Sequence, residues 1–303
     1  MLSPPRPRAR TYPGKNVDPT RWDRFVPRAG DIVVSTPSKS GTTWVQGILA
    51  LLISGDVRVD PQVSTRAPWL DIAEPDWPEL AASLEAQTGR RQIKTHTPLD
   101  GIPLWPDVRY VCVFRHPIDV HLSFRAHVYN MRKEVLRHVF PEDVRDGFRL
   151  FMQGNPNSGG TIASDLDLTR DARALNAVPH VLRLHYADML RDLPRAVARI
   201  ADHVGIHQAP ALQSQLVAAA RFDAMKANAG RFAVAAGQGF WRDDSKFFDS
   251  GGTRKWRGVL GADDIAAYEA RMENVLAPRA RHWLEWGDDA GESGGGSPDF
   301  QLW

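Results

Sequence analysis

Short apolar runs alternate along the chain with longer stretches in which apolar positions recur at helical spacing. The runs at residues 31–36, 109–114 and 181–185 predict strands. The first is followed by a short polar loop and then by residues 42–53, whose apolar residues suit a helix that is buried on most sides. Further helices are predicted at residues 195–204, 209–220 and 263–276. Because strands that alternate with helices build parallel sheets, we predict an α/β fold with a central, mostly parallel sheet flanked by helices.

The two ends of the chain lack this pattern. Residues 1–28 are rich in Pro and Arg, and residues 287–303 are rich in Gly, Ser and Asp, so we expect both ends to be flexible. A single folded domain is then expected over residues 29–286.

No apolar segment like that of a signal peptide follows the N-terminal arginines. The longest apolar stretch, residues 47–53, is far below the roughly 20 residues that span a bilayer, so we expect a cytoplasmic protein without an integral membrane segment.

The charge balance bounds the class of ligand. The chain of 303 residues has 38 Lys plus Arg and 36 Asp plus Glu, which gives a net charge of +2. Nucleic acid is therefore not an expected partner, and any small anion must be held by a local group of cations. The single cysteine, Cys112, lies in the apolar strand at residues 109–114 and is expected to be a buried thiol.

The loop between the first strand and the first long helix has the composition of an anion site. Backbone N–H groups and the positive end of the helix dipole converge at such a point. Gly41 allows the backbone to approach a ligand closely, and Lys39 adds a positive charge. The hydroxyl groups of Thr42 and Thr43 can donate hydrogen bonds, and the ring of Trp44 could stack on a flat base. An ordinary capped helix with a surface lysine is the alternative at this point.

The order of residues in this loop weakens the interpretation as a kinase. A nucleoside-triphosphate loop requires Gly-x-x-x-x-Gly-Lys-Ser/Thr. Here Ser38 precedes Lys39, and Val33 stands where the first glycine should be. In an ATPase that transfers phosphate, the strand at residues 109–114 would also be expected to end in an Asp that binds magnesium. Here it is followed by Arg115 instead.

Two further strand ends carry groups that suit transfer chemistry. Arg115 and Ser123, about two helical turns apart, can face the carboxyl edge of the sheet, where an arginine suits a phosphate. A short alternating strand at residues 93–97 would place Lys94 and His96 on the same side. A histidine can remove a proton from an attacking hydroxyl, and a lysine can stabilise charge on a leaving oxygen. Taken singly, an arginine at a strand end is often part of a surface ion pair, and a single histidine is usually structural.

Together these segments resemble the cytosolic-type sulfotransferases that use 3′-phosphoadenosine-5′-phosphosulfate (PAPS), especially bacterial members such as the glycolipid or aryl sulfotransferases. The family's Lys-Ser-Gly-Thr-Thr-Trp motif is matched throughout at residues 39–44. The likeness continues in order through residues 94–96, 115–123, 185–189, 222–228 and 251–256. The resemblance spans most of residues 30–285 and implies a single-domain fold with a P-loop-like, phosphosulfate-binding loop.

The resemblance implies a role for each matched residue. His96 would be the catalytic base, Lys39 would contact the phosphosulfate bridge, and Lys94 would assist at the transferring group. Arg115 and Ser123 would hold the 3′-phosphate of the donor. Around the adenine would lie Trp44, Phe222 and Tyr186. The full set implied to bind the donor is Lys39, Ser40, Gly41, Thr42, Thr43, Trp44, Arg115, Ser123, Tyr186, Phe222, Gly251, Gly252 and Arg254.

The implied reaction is a direct in-line transfer to a hydroxyl group of a small-molecule or lipid-linked acceptor. The product nucleotide is adenosine 3′,5′-bisphosphate, and neither a covalent enzyme intermediate nor a metal is needed.

Apolar residues within 124–180, with a lid at 154–160, would form the acceptor wall, although the same residues could simply pack a helical flank. The tryptophans at positions 69, 77 and 105 fit either role. A homodimer is possible, but the family's C-terminal dimerisation pattern is not present around residues 257–266.

One motif departs from the family pattern. Asp249 stands where the family has the arginine that completes the 3′-phosphate site. Because a carboxylate beside a phosphate dianion is unfavourable, either Asp249 points away or Arg254 or Lys255 supplies the charge. We expect Arg254 to do so, and we expect a weakened affinity for PAPS, to which Ala220 in place of a threonine would contribute. A kinase and a non-catalytic nucleotide-binding protein are the alternative functions.

Overall fold

The structure is a computed structural model that describes residues 2–12, 14, 16–59, 63–134, 136–153 and 180–288. The predicted lid at residues 154–160 and the later part of the predicted acceptor wall lie outside the described residues. So does the predicted C-terminal tail from residue 289 onward.

Within the described residues, four parallel strands form one sheet: β1 (Ile32–Ser35), β2 (Gln92–Thr95), β3 (Arg109–Phe114) and β4 (Val181–His185). Their order across the sheet is β2-β1-β3-β4. The prediction of an α/β fold with a mostly parallel sheet is therefore confirmed. Because the neighbouring strands run in one direction, all four carboxyl ends lie at the same edge of the sheet.

Helices cover both faces of the sheet. They are α1 (Arg21–Arg24), α2 (Thr42–Ser54), α3 (Val63–Arg66), α4 (Trp77–Ala86), α5 (Pro117–Asn130), α6 (Val144–Gln153), α7 (Tyr186–Arg191), α8 (Leu193–Val204), α9 (Pro210–Ala219), α10 (Phe222–Ala227), α11 (Ala229–Phe232), α12 (Ala262–Glu273) and α13 (Pro278–Trp286). Short 3-10 turns lie at Leu99–Gly101 and Asp244–Phe247. The helices predicted from residues 42, 195, 209 and 263 are present with ends shifted by up to three residues.

Alternate residues of the strands enter two separate apolar clusters, as expected for a sheet that is buried on both faces. Val33 and Cys112 belong to the cluster that also contains Tyr268 of α12 and Trp283 of α13. Val34 belongs to the cluster that contains the apolar side of α2 and residues of α8 to α11. Cys112 is buried, as predicted.

Part of the N-terminal segment packs against the domain. Trp22 and Phe25, which the sequence placed in a flexible leader, are buried in the core, and the indole N–H of Trp22 donates to Asp71. The backbone of Arg6 pairs with that of Leu104. Two large aromatic side chains thus bury enough apolar surface to order a Pro- and Arg-rich segment that has no sustained periodicity of its own.

In the ranges that the structure describes, no helix combines the length and the apolar character required to cross a bilayer.

Candidate active site

The loop between β1 and α2, residues 36–41, turns sharply at two positions. Lys39 has a φ of 67° and Gly41 a φ of 120°. A Cβ atom at Gly41 would lie 3.1 Å from Cδ2 of Tyr186 and 3.4 Å from Cγ1 of Val113. Glycine therefore meets both the backbone conformation and the lack of space. The turn places the N-terminal end of α2 at the carboxyl edge of the sheet, where its first N–H groups can meet an anion.

Hydroxyl groups line this loop at different depths. The hydroxyl of Thr42 is hydrogen-bonded to that of Thr36, whereas Thr43 is half-buried at the start of α2. The hydroxyl of Ser40 is buried and has no hydrogen-bond partner among the described residues. Buried polar groups are normally satisfied, so a ligand oxygen at this position would remove the penalty of the unpaired Ser40 hydroxyl.

Lys39 extends from the loop into a positively charged environment. Its Nζ lies 2.8 Å from Nδ1 of His127 and 5.1 Å from the centre of the Phe247 ring. Loss of solvent, followed by the positive charges of Arg115 and Lys94, lowers the pKa of Lys39 to about 7. An ammonium group that its surroundings destabilise in this way gains most from the arrival of an anion.

Lys94 and His96 both contact the indole ring of Trp69. The Nζ of Lys94 lies 4.7 Å from the ring centre, and the imidazole of His96 meets the same ring edge-to-face at 4.8 Å. The two side chains thus lie on the same side of β2, at its carboxyl end. Loss of solvent lowers the pKa of Lys94 to about 8. Loss of solvent, and next the charge of Lys94, lowers the pKa of His96 to about 3.

The tautomer of His96 follows from its hydrogen bond. Nδ1 lies 2.8 Å from the carbonyl oxygen of Thr36. Because a carbonyl oxygen only accepts, Nδ1 carries the proton, and the lone pair of the neutral ring is on Nε2. At neutral pH the ring is uncharged, and Nε2 is the atom able to take a proton.

A buried carboxylate holds this part of the site in place. Asp71 is fully buried and accepts four hydrogen bonds. They come from the indole N–H groups of Trp69 at 2.7 Å and Trp22 at 3.0 Å, and from the hydroxyls of Thr95 at 2.7 Å and Thr97 at 2.6 Å. Asp71 therefore fixes the indole ring and the strand end on which the lysine and the histidine stand.

Asp71→Ala should lower the free energy of unfolding by about 3–5 kcal/mol, because three buried donors and the half-buried indole of Trp69 lose their acceptor. Urea denaturation measures the change. Asp71→Asn keeps one carbonyl acceptor and should cost less, and Asp146→Ala, on the exposed side of α6, should stay within about 0.5 kcal/mol of the wild type. A loss below about 1 kcal/mol for Asp71→Ala would show that the donors find other acceptors.

Arg115 joins the β1–α2 loop to the loop at residues 249–255. Its guanidinium donates to the carbonyl oxygens of Lys39 at 3.1 Å and Gly252 at 2.8 Å. The same group lies 4.2 Å from the centre of the Tyr186 ring. Its Nε–H is buried and has no hydrogen-bond partner among the described residues. Ser123 is buried on α5, about two turns further along.

Aromatic rings implied to surround the adenine pack against one another. Trp44 meets Tyr186 edge-to-face at 5.3 Å and Phe222 at 6.3 Å, and its indole N–H donates to the carbonyl oxygen of Ala220 at 2.7 Å. The hydroxyl of Tyr186 donates to the carbonyl oxygen of Gly251 at 2.9 Å. A Cβ at Gly251, whose φ is 69°, would lie 2.5 Å from the Phe222 ring, so this backbone approach requires glycine.

Comparison with known proteins identifies the family. Residues 29–279 match the model of the sulfotransferase domain. The chain belongs to the sulfotransferase family. A glycolipid sulfotransferase of Mycobacterium bovis is 32% identical over 307 residues, with 91% of this chain and 94% of the relative covered. The family resemblance and the assignment as an enzyme are thereby confirmed, and the kinase and the non-catalytic alternatives are set aside.

Solved structures agree with the fold of this sulfotransferase. Retinol dehydratase in complex with androsterone and the inactive cofactor PAP is similar with a TM-score of 0.68 at 24% identity, over 86% of this chain and 84% of that one. A mouse sulfotransferase complexed with PAP gives a TM-score of 0.67 at 18% identity, over 87% and 90% of the two chains.

The altered 249–255 loop of this sulfotransferase neutralises its own carboxylate. Asp249 forms an ion pair with Lys255, and its backbone carbonyl accepts from Nζ of Lys226 at 2.8 Å. The backbone N–H groups of Arg254 and Lys255 donate to the two carboxylate oxygens of Asp119, each at 2.9 Å. Lys255 is thus paired with Asp249.

Arg254, which we expected at the 3′-phosphate, is exposed and lies 4.9 Å from the ring centre of Trp286. Its φ of 60° is in the left-handed region. Arg254 and Arg115 both line a cavity of about 590 Å³ at the carboxyl ends of β3 and β4, together with residues of α7 and α13. The two arginines therefore border the same cavity, with Arg254 on the side of α13.

Several apolar residues predicted for the acceptor wall of the sulfotransferase are core residues. Phe148 and Phe151 of α6 are buried in the apolar cluster that contains Val33 and Cys112. Phe140 is buried as well, and the hydroxyl of Tyr129 donates to its carbonyl oxygen at 3.2 Å. The structure thus favours the packing role for these residues.

Sequence reasoning gave no role to three residues that organise this site: Asp71, Asp119 and His127. A signal was available for His127, because it follows Ser123 by four positions on one helix and so shares its face. Asp119 lies in the first turn of α5, inside the 115–123 segment that carries the family resemblance. Of the four donors to Asp71, Trp69 is two positions away, but Thr95, Thr97 and Trp22 lie 24 to 49 positions away, so the sequence does not show the network.

Proposed function

We propose that this sulfotransferase moves the sulfuryl group of PAPS to a hydroxyl of a small-molecule or lipid-linked acceptor by direct in-line displacement, with His96 as the general base. The observation that carries the proposal is the convergence of His96, Lys94 and Lys39 at one edge of the sheet. Nε2 of His96 takes the acceptor proton while the acceptor oxygen forms a bond to sulfur. The bond from sulfur to the bridging oxygen breaks, and adenosine 3′,5′-bisphosphate leaves.

The electrostatics of His96 support this role. Its imidazole is neutral at pH 7 and keeps Nε2 open to a proton, while the Thr36 carbonyl holds the ring through Nδ1–H. Loss of solvent is the main cause of its low pKa of about 3, and the charges of Lys94 and Lys39 lower this pKa further. An anionic donor beside Lys39 and Lys94 offsets those charges and raises the basicity of the ring at the moment it is needed.

Lys39 and Lys94 supply the positive charge that the leaving group requires. Negative charge grows on the bridging oxygen as the bond to sulfur breaks, and a fixed ammonium group stabilises it without reorganisation of solvent. The pKa values of both lysines, about 7 and about 8, are depressed mainly by loss of solvent. Binding of the donor anion raises both values and so favours the charged forms during transfer.

Two unsatisfied donors suit the phosphates of the nucleotide. The buried Ser40 hydroxyl lies in the β1–α2 loop, where the 5′-phosphosulfate would be held, and the Nε–H of Arg115 is available to the 3′-phosphate. Trp44, Tyr186 and Phe222 form the aromatic cluster that would receive the adenine. For the acceptor, the mycobacterial relative makes a glycolipid hydroxyl the first class to assay with labelled PAPS, with a simple phenol as the comparison.

Adenosine 3′,5′-bisphosphate should raise the melting temperature by about 5 °C or more at 100 times its Kd, because it binds only the folded state. Adenosine 5′-monophosphate, which lacks the 3′-phosphate, should raise it much less at the same concentration. Differential scanning fluorimetry measures both shifts. In Arg115→Gln the advantage of the bisphosphate should disappear. Equal shifts by the two nucleotides in the wild type would contradict a 3′-phosphate site at Arg115.

A further inference from the structure

The Lys39 side chain has a neighbour to which the family resemblance gives no role. Its Nζ lies 2.8 Å from Nδ1 of His127, one turn after Ser123 on α5. The imidazole of His127 meets the ring of Trp241 edge-to-face at 4.5 Å and that of Phe247 at 5.7 Å. These aromatic contacts hold the imidazole in the orientation that presents Nδ1 to the lysine.

The charged groups around Lys39 leave its ammonium poorly compensated. Arg115, Lys94 and Lys255 are positive and lower the pKa of Lys39, and Asp249 acts in the opposite direction. Asp249 is itself engaged in an ion pair with Lys255. The hydrogen bond of the Lys39 Nζ that the structure describes is made to the imidazole and not to a carboxylate.

The two histidines whose rings interact with Lys39, His127 and His96, are both uncharged at neutral pH. Loss of solvent, followed by the charge of Lys39, holds the pKa of His127 well below its usual value. A neutral ring can accept through Nδ1 when Nε2 carries the proton. His96 uses its Nδ1–H toward Thr36 and therefore cannot accept at that atom. His127 is the imidazole within hydrogen-bond distance of Lys39, so its Nδ1 can accept a hydrogen bond from the ammonium.

We propose that His127 is a positioning residue for sulfuryl transfer: its Nδ1 accepts a hydrogen bond from the Lys39 ammonium and holds that ammonium charged at the β1–α2 loop until the donor arrives. The inference rests on the role given to Lys39 in the proposed function. It adds an uncharged acceptor that keeps the lysine protonated without neutralising the charge which the donor anion needs. A carboxylate in this place would compete with the donor for that charge.

The pH dependence of kcat/KM for PAPS reports the pKa values of groups in the enzyme before the donor binds. The activity should fall as pH rises through the pKa of Lys39, about 7, because the uncharged amine no longer attracts the donor. An acceptor for the ammonium favours the charged form, so its removal lowers this pKa further. In His127→Leu we expect the alkaline limb to move toward lower pH by about 0.5–1 unit. His127→Asn, nearly the same size as leucine, keeps an oxygen acceptor at the δ position and should restore the limb.

Both variants lose the ring contacts with Trp241 and Phe247, so the difference between them isolates the acceptor. Coincident alkaline limbs for His127→Leu and His127→Asn would overturn the proposal. If His127→Leu does not fold, His127→Phe keeps a ring against Trp241 and carries the same comparison. Lys39→Met separates the two hypotheses. Activity retained in that variant contradicts the role that the proposed function gives to Lys39, whereas an inactive Lys39→Met with unshifted His127 variants contradicts only the role of His127.

Discussion

His96→Asn is expected to lower kcat about 100-fold or more, the typical contribution of a positioned general base. Asparagine can keep an N–H donor near the Thr36 carbonyl, so the contact that orients the native ring at 2.8 Å has a substitute. What the variant lacks is the Nε2 lone pair that takes the acceptor proton. Initial rates under saturating PAPS and a fixed acceptor measure the effect, because saturation removes any change in donor affinity.

A matched substitution at a distant histidine controls for general damage. The side chain of His207 is 69% exposed, and its Nδ1 lies 3.6 Å from Oδ1 of Asp202. His207→Asn should therefore leave kcat unchanged. Binding of adenosine 3′,5′-bisphosphate to His96→Asn, followed by melting temperature, should stay close to the wild type. A fully active His96→Asn would remove this histidine from the mechanism while leaving the family assignment intact.

Lys39→Met should lower kcat/KM for PAPS by about 100- to 1000-fold, the range that follows loss of one preorganised group facing a developing negative charge. Methionine has a similar length and packs beside Phe247 without a charge. Product binding should fall less than transfer, because adenosine 3′,5′-bisphosphate lacks the sulfuryl group and the charge that grows during its transfer. Steady-state kinetics and calorimetry with the product nucleotide separate the two effects.

Lys133→Met is the control for Lys39→Met, since Lys133 is exposed. Its kinetics should match those of the wild type. If Lys39→Met kept more than about a tenth of the wild-type kcat/KM, the leaving group would have to be stabilised by Lys94 and the α2 N-terminus without this lysine.

The elements of the sheet could be predicted because their signals are local. The apolar runs that became β1, β3 and β4 carry the strand pattern within five or six residues each, and α2 carries its apolar face within its own 13 residues. The β1–α2 loop was equally readable, because its Lys-Ser-Gly order and its place between a strand and a helix are properties of one short segment.

Contacts between remote segments could not be predicted in the same way. Trp22 lies in a segment with the composition of a flexible leader, yet its indole reaches Asp71, 49 positions away. The ion pair between Asp249 and Lys255 was likewise not predicted, because the sequence does not show how the 249–255 loop folds back on itself. Each of these contacts depends on how loops and strands are brought together, and hydrophobic periodicity carries no information about it.

The sequence by itself determined the strand and helix pattern, the family, and the identity of the groups that can do the chemistry. These properties depend on side-chain type and on spacing along one segment. Only the tertiary structure decided which nitrogen of His96 is open, what surrounds the Lys39 ammonium, and which acceptor faces it. The physical reason is that tautomers, pKa values and hydrogen bonds depend on the distance to groups from other segments, which are set when the four carboxyl ends of the sheet meet at one edge.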